Sequence, residues 1–254
     1  MESALIQLEE RADGVVIVTL DRPAKRNALH VALMESLCAA MDRLAGNATC
    51  RVVIVQGAGP VFCAGLDLTE AAQPDFAEQS AEAVARMLRT VADSPLVTIA
   101  VAHGAALAGG AGLMAACDFV VATEDLRIGF PEVRRGLVPA LVSTVLRQRV
   151  QESSLRELLI LANEIDAPRA LQMGLIDRIA RPGELLDVAH AIATQILMAA
   201  PNAVRLTKQL LLETRELPQG DALRLALDFH SQARGSDEAR EGLAAFAERR
   251  SPNW

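Results

Sequence analysis

Tyrosine is absent from the 254 residues of this chain, and aromatic side chains make up only 3% of it. The core must therefore be aliphatic. With 51% hydrophobic and 22% charged residues, the composition is that of a soluble globular enzyme rather than a disordered chain. No run of Lys and Arg makes a nucleic-acid footprint, and the net charge is −7. That balance still allows a local basic pocket for a phosphorylated group. Cys38, Cys50, Cys63 and Cys117 form no C-x-x-C pair and have no well-spaced histidine, which argues against a metal site and fits a reducing compartment. Neither a Rossmann fingerprint nor a P-loop occurs, so nicotinamide and nucleoside-triphosphate chemistry are disfavoured. Met1-Glu2-Ser3-Ala4 shows no basic segment ahead of an apolar one, so no signal peptide is expected and the expected location is cytoplasmic. Short repeats and low-complexity linkers are also missing.

One stretch, Ser94 to Cys117, contains no Asp, Glu, Lys or Arg. A membrane span needs about 20 predominantly apolar residues, and this stretch is long enough. Pro95, His103 and four glycines interrupt it, however, and Asp118 follows at once. Inside it, Leu96 to Val101 reads as a strand, Gly109-Gly110 opens a helix of small residues, and Phe119 to Ala122 reads as the next strand. A glycine pair at such a junction lets a ligand approach the backbone closely. The first helical turn offers unpaired N–H groups and the positive end of the dipole. That suits a negatively charged oxygen, bound or formed in a reaction. The same pattern also serves as a plain tight turn.

The rest of the chain is read around this stretch. Ala4 to Glu9 and Val15 to Leu20 are strands joined by a hairpin at Asp13-Gly14. Ala28 to Leu44 has helical apolar spacing, ended by Gly46-Asn47. Val52 to Val55 is a strand buried on both faces. Phe76 to Ala92 is an amphipathic helix, and Leu126 to Phe130 is extended. Ala140 to Val150, Ser153 to Ala162 and a short helix from Ala167-Pro168 to Gly174 follow, then a strand at Ile176 to Ala180. From Gly183 the pattern is helical throughout. Strands alternating with helices, then helices alone, predict an α/β body (1–182) with a helical C-terminal part (183–254).

Three loops carry chemistry-bearing residues. Asp21 to Asn27 gathers three cations, a solvated turn or a clasp for phosphates. In Val61 to Leu68, Gly65 frees the backbone so that Leu66 can present an N–H outward. In Pro131 to Pro139, Glu132 follows a proline and is expected in extended backbone, either as an exposed acid paired with Arg134 or Arg135 or as a functional carboxylate. His103 has no partners for a Ser–His–Asp set. Cys63 reads as a small packed residue, and Asp118 as a structural carboxylate at a strand start.

Taken in order, these segments resemble the crotonase superfamily, the enoyl-CoA hydratase/isomerase group, over nearly the whole chain. Asp21-Arg22-Pro23 with Asn27-Ala28-Leu29 is similar to its R-P-x-x-x-N-A-L start. Phe62-Cys63-Ala64-Gly65-Leu66-Asp67-Leu68 is similar to its F-x-A-G-x-D loop. His103-Gly104 through Gly109-Gly110-Ala111-Gly112 to Cys117-Asp118 resembles its glycine-rich stretch. Gly129-Phe130-Pro131-Glu132-Val133 with Gly136 resembles its P-E-x-x-x-G segment, and Glu241 to Phe246 its C-terminal segment. The resemblance implies a spiral of ββα units and a C-terminal helical trimerisation region, often in a dimer of trimers. It implies an acyl-CoA thioester of fatty-acid metabolism as substrate and no prosthetic group. It implies an oxyanion hole from the N–H groups of Leu66 and Gly109, and a CoA groove along Arg22, Ala24, Ala64, Leu66, Asp67 and Leu68. It places Phe246 and Arg249 where a neighbouring subunit's CoA is reached, and Gly110, Gly112 and Pro131 at the substrate pocket.

The standard hydratase pattern in this family uses two glutamates, one of them three residues after the oxyanion-hole glycine. Here that position is Gly112. The second is Glu132, whose apolar setting is expected to raise its pKa. One carboxylate leaves two chemistries open: hydration of a 2-enoyl-CoA with Glu132 as sole acid/base, or Δ3–Δ2 isomerisation in which Glu132 moves a proton from C2 to C4. A catalytically silent acyl-CoA-binding protein is the third alternative. Chain-length selectivity is expected from Phe76 to Leu88 and Val138 to Val142.

Overall fold

The computed structural model describes residues 4–73 and 76–254, so most of the N-terminal reading, Met1-Glu2-Ser3, lies outside them. Two compact units are present, Met1–Ala191 and Ile192–Trp254.

The first unit is built on a sheet whose strands follow the apolar runs of the sequence: β1 (Ile6–Glu10), β2 (Val15–Leu20), β3 (Val52–Gly57) and β4 (Val97–Ala102). The later strands along the chain are β5 (Ala105–Leu107), β6 (Phe119–Thr123), β7 (Arg127–Gly129), β8 (Ile165–Asp166) and β9 (Arg178–Ala180). Among the described residues the large sheet has the order β1-β2-β3-β4-β6-β9, and a small sheet has the order β5-β7-β8. β1 pairs antiparallel with β2, and every later neighbour in the large sheet is parallel. Parallel strands covered on both faces read as continuous apolar runs, and β4 is buried at each of its residues.

Helices α1 (Val31–Ala45), α2 (Leu68–Ala71), α3 (Ala77–Ala92) and α4 (Gly109–Ala116) lie between the strands. They are followed by α5 (Ala140–Leu146), α6 (Glu152–Arg156) and α7 (Ala167–Met173). The buried stripe of α1, Leu33, Met34, Leu37, Met41 and Leu44, packs with Val84, Met87, Leu88 and Val91 of α3 in one aliphatic cluster. α4 is buried at every residue, which its run of Gly, Ala, Leu and Met permits. Arg149 ties the far side together: its guanidinium donates to the carbonyls of Cys117 and Leu175 and pairs with Asp177.

Three expectations are corrected. The first helix starts at Val31, not Ala28, because Leu29 is drawn into a parallel bridge with Leu66. The helix expected over Ser153 to Ala162 is α6 followed by a π-helical turn, Glu157–Leu161. Glu132 is not extended: it opens a 3₁₀ turn, Glu132–Arg135, with Pro131 as its cap. Proline restricts the residue before it, not the one after, and is well tolerated at a helix start. Nor does Arg134 pair with Glu132; it reaches Leu161 O and Asn163 Oδ1 instead.

α8 (Leu185–Leu197) runs from the first unit into the second, which holds α9 (Pro201–Thr214), α10 (Gln219–Arg234) and α11 (Asp237–Glu248). Within this unit α9 is capped by Glu238, whose carboxylate accepts from the N–H groups of Asn202 and Ala203. Its helices are amphipathic, yet only Ala193 and Ala245 are buried in it. Leu211, Leu223, Leu227, Leu243 and Phe246 stand exposed. Among the described residues no helix is long and apolar enough to cross a membrane.

Candidate active site

The site forms where the loops after β2, β3 and β5 meet the start of α4. Asn27 is the buried node of this region. It is fully buried, with φ +54°. Its Nδ2 donates to the carbonyls of Ala58, Val61 and Phe62 at 2.8, 3.0 and 3.1 Å, and its Oδ1 accepts from Arg22 N–H at 3.0 Å. Its own carbonyl accepts from the Cys63 thiol at 3.1 Å. Burial pushes that thiol up to about 12, so Cys63 packs as a neutral thiol, not a nucleophile.

This clamp delivers Leu66. Leu29 N–H donates to Gly65 O, and Asp67 N–H donates to Leu29 O, each at 2.8 Å. Along extended backbone alternate amides point to opposite sides, so the N–H of Leu66 faces away from Leu29's backbone. Gly65 has φ +90°, and a Cβ on it would fall 2.7 Å from Leu107 O; no other residue fits there.

Gly109 opens α4. Its N-cap, Ala108, sits at φ 47°, ψ −121° and is held by an N–H bond to Gly129 O at 2.8 Å. A non-glycine residue in this region is strained, and such strain gathers at functional sites. A Cβ placed on Gly109 would lie 4.0 Å from Leu66 N and 3.2 Å from Leu29 Cδ1. The structure thus brings together the two backbone positions expected from the sequence. Gly110 is packed on the same loop, since a Cβ there would meet Cys63 O at 2.5 Å.

The pairing of β5 with β7 sets Leu107 opposite Gly129, and the chain then runs through Phe130 and Pro131 to Glu132. Phe130 is fully buried, and Pro131 and Glu132 are half-buried. Oε2 of Glu132 is buried without a hydrogen-bond partner. Burial raises the carboxyl above its ordinary value, opposed by its own backbone N–H and by the Arg135 guanidinium. A half-buried carboxyl with one oxygen unpartnered and its pKa raised is suited to taking and returning a proton.

Of the remaining expected residues, some lie on these same loops and others elsewhere. Arg22 Nη1 pairs with Asp67 Oδ2 at 2.7 Å and with Ala28 O at 3.0 Å. Burial alone would raise the Asp67 carboxyl, but Arg22 and the Thr69 N–H hold it below the usual carboxylate range. Ala24 and Leu68 are exposed and Ala64 is half-buried, a rim rather than a core. Gly112 lies one turn into α4. Phe246, 84% exposed, and Arg249, in left-handed backbone, belong to the C-terminal unit. His103 contacts Gly59 O at 2.8 Å, and Asp118 accepts from Thr98 N–H and Oγ1, so both are tied into the scaffold. Among the described residues no group of three or more His, Cys, Asp or Glu could hold a metal ion.

Sequence reading did not find two contributors. His30 sits at the start of α1 with Nδ1 buried and unpartnered, and burial together with Arg22 lowers its pKa. Glu70 caps α1 from a distance, accepting Val31 N–H at 2.9 Å. Glu70 lies 39 residues from the N–H it accepts. An acid at 70 and a histidine before an apolar helix were visible signals, but nothing local joined them.

The profile described as enoyl-CoA hydratase/isomerase matches residues 10–254. A Thermus thermophilus relative with a provisional enoyl-CoA hydratase name is 37% identical over 256 residues, covering 98% of this chain and 100% of its own. The enoyl-CoA isomerase/hydratase fer4 of Mycosarcoma maydis is 32% identical, covering 98% and 97%. A crystal structure of an enoyl-CoA hydratase from Mycobacterium smegmatis superposes with a TM-score of 0.95 at 30% identity over 99% of both chains. This chain belongs to the enoyl-CoA hydratase/isomerase family and has its fold.

Proposed function

We propose that the protein is a one-acid enoyl-CoA hydratase. The observation that carries this reading is the unpartnered, buried Oε2 of Glu132 in a chain whose other expected acid position is Gly112. The thioester carbonyl oxygen sits between the N–H groups of Leu66 and Gly109. As water adds at C3, charge builds on that oxygen, and the two amides with the start of α4 stabilise it. Glu132 takes the proton from water and delivers it to C2, acting in turn as base and acid. The Arg22–Asp67 pair and the exposed rim at Ala24, Ala64 and Leu68 support the CoA portion. CoA enters as part of the substrate, and no prosthetic group is needed.

The apolar face of the C-terminal helices supports self-association into trimers or a dimer of trimers, with Phe246 and Arg249 reaching a neighbour's CoA. Light scattering on the purified protein reads that directly.

A second reading, Δ3–Δ2 isomerisation, is favoured by the same lone carboxylate, since one base suffices to move a proton from C2 to C4. Crotonyl-CoA and a 3-enoyl-CoA assayed in parallel, with products resolved by mass, separate the two. Water added to crotonyl-CoA is the expected result. A 2-enoyl product from the 3-enoyl-CoA without hydration overturns it in favour of the isomerase.

A further inference from the structure

Gly112 has no side chain, yet the space beside it is filled. A Cβ on Gly112 would lie 2.7 Å from Val142 Cγ1, 3.3 Å from Val142 Cβ and 3.4 Å from Leu88 Cδ2. Carbon atoms sit comfortably at about 3.5–4.0 Å, so the first distance is a clash and the second is tight. Val142 is 4% exposed in the first turn of α5, and Leu88 is 3% exposed on α3. Neither can turn out into solvent. A β-branched side chain on a helix has one strongly preferred χ1 rotamer. The obstructing methyl therefore cannot swing aside as the end of a long side chain would.

The location gives this packing a consequence. Gly112 follows Gly109 by one turn on the same face of α4. With the thioester oxygen at the Gly109 N–H, as in the proposed function, the acyl carbons next to that carbonyl would pass near Gly112.

We propose that Val142 is a specificity-determining residue that holds this site to a single acid. With Leu88 it fills with hydrocarbon the space through which a side chain at position 112 would reach the substrate. The proposal rests on the reading of Glu132 as the acid/base. On that side of the pocket the acyl chain meets only apolar surface, and water finds no second carboxylate. Gly112 and Val142 form one unit: an acid cannot enter at 112 unless 142 shrinks. Because Val142 Cβ is itself close, glycine is the replacement that clears the space fully.

The test is a double-mutant cycle. Gly112→Ala is expected to lower the thermal midpoint by several degrees in the wild-type background and to cost little or nothing beside Val142→Gly. Gly112→Glu with Val142→Gly is expected to hydrate crotonyl-CoA at least tenfold faster than Gly112→Glu alone. Equal thermal costs of Gly112→Ala in the two backgrounds, or equal rates for the two glutamate variants, overturn the proposal. Glu132→Gln assayed alongside tests the underlying reading separately. An active Glu132→Gln enzyme removes the acid/base assignment while leaving the thermal coupling of 112 and 142 as measured.

Discussion

Replacing Asn27 by alanine should damage both the fold and the catalytic rate, by amounts the structure lets one work out. Nδ2 contacts three carbonyls, Ala58, Val61 and Phe62. An amide nitrogen has only two protons, so these contacts amount to two bonds, and Oδ1 accepts a third from Arg22. At about 1 kcal/mol net for each buried bond, their loss costs about 3 kcal/mol. Holding alanine at the left-handed backbone of residue 27 adds about 1 kcal/mol. A total of about 4 kcal/mol corresponds to a fall of about 8–16 °C in melting temperature for a chain of this size. Asn27→Gly loses the same bonds without the backbone cost, so it should melt a few degrees above Asn27→Ala. Below the transition the altered loop should misplace the Leu66 N–H. Losing one oxyanion donor entirely costs about 10²–10³ in kcat, so kcat should fall toward that range while KM changes less. Circular dichroism melts and steady-state hydration of crotonyl-CoA measure both effects. A midpoint shift under about 3 °C for Asn27→Ala would refute the reasoning, because it would mean these bonds contribute almost nothing net.

Glu132→Gln should lower turnover by at least about 10²-fold while CoA-ester binding, read by calorimetry, persists. The same variant tests the sign of the buried charge. The raised carboxyl pKa means wild-type stability is full when the group is protonated and declines as pH rises through the folded value. Glu132→Gln should therefore melt above wild type at neutral pH, with the gap closing toward acid; a constant gap across pH would count against it. For the same reason wild-type kcat/KM should rise with pH through an inflection above the ordinary carboxylate range. Asp67→Asn removes the charge facing Arg22 and should raise KM several-fold with little change in kcat; an unchanged KM would take the pair out of the groove. Gly110→Ala drives a methyl into Cys63, and overpacking of this kind costs about 1–3 kcal/mol, readable as lost denaturation midpoint.

The fold was largely legible in the sequence because its main elements are long and strongly patterned. Val52–Gly57 and Val97–Ala102 are continuous apolar runs, and the spacing of Leu33, Leu37 and Leu44 permits only a helix. The short strands at Ala105–Leu107 and Ile165–Asp166 were not visible: three or two residues carry no period, and their pairing is decided by tertiary contact. The site was half legible. Gly65, Gly109 and Glu132 stand in recognisable motifs. What holds them does not, because Asn27 bonds to carbonyls more than thirty residues away and Glu70 caps a helix that precedes it. The 3₁₀ turn at Glu132 departs from the extended backbone expected there because proline restricts the residue before it, not the one after.

The order of strands in the large sheet, β1-β2-β3-β4-β6-β9, is also their order along the chain. A polypeptide emerging from its N-terminus therefore offers each new strand an edge that already exists. No strand has to wait for a later one to fill the gap beside it, so nascent chains expose one growing edge rather than several. The candidate site follows a different schedule. Ala108, which caps α4 and sets the backbone of Gly109, is held by the carbonyl of Gly129, and β5 has no partner until β7 has been made. Residue 132 follows three residues later, so the proposed anion-binding backbone and the proposed acid are completed together rather than one before the other.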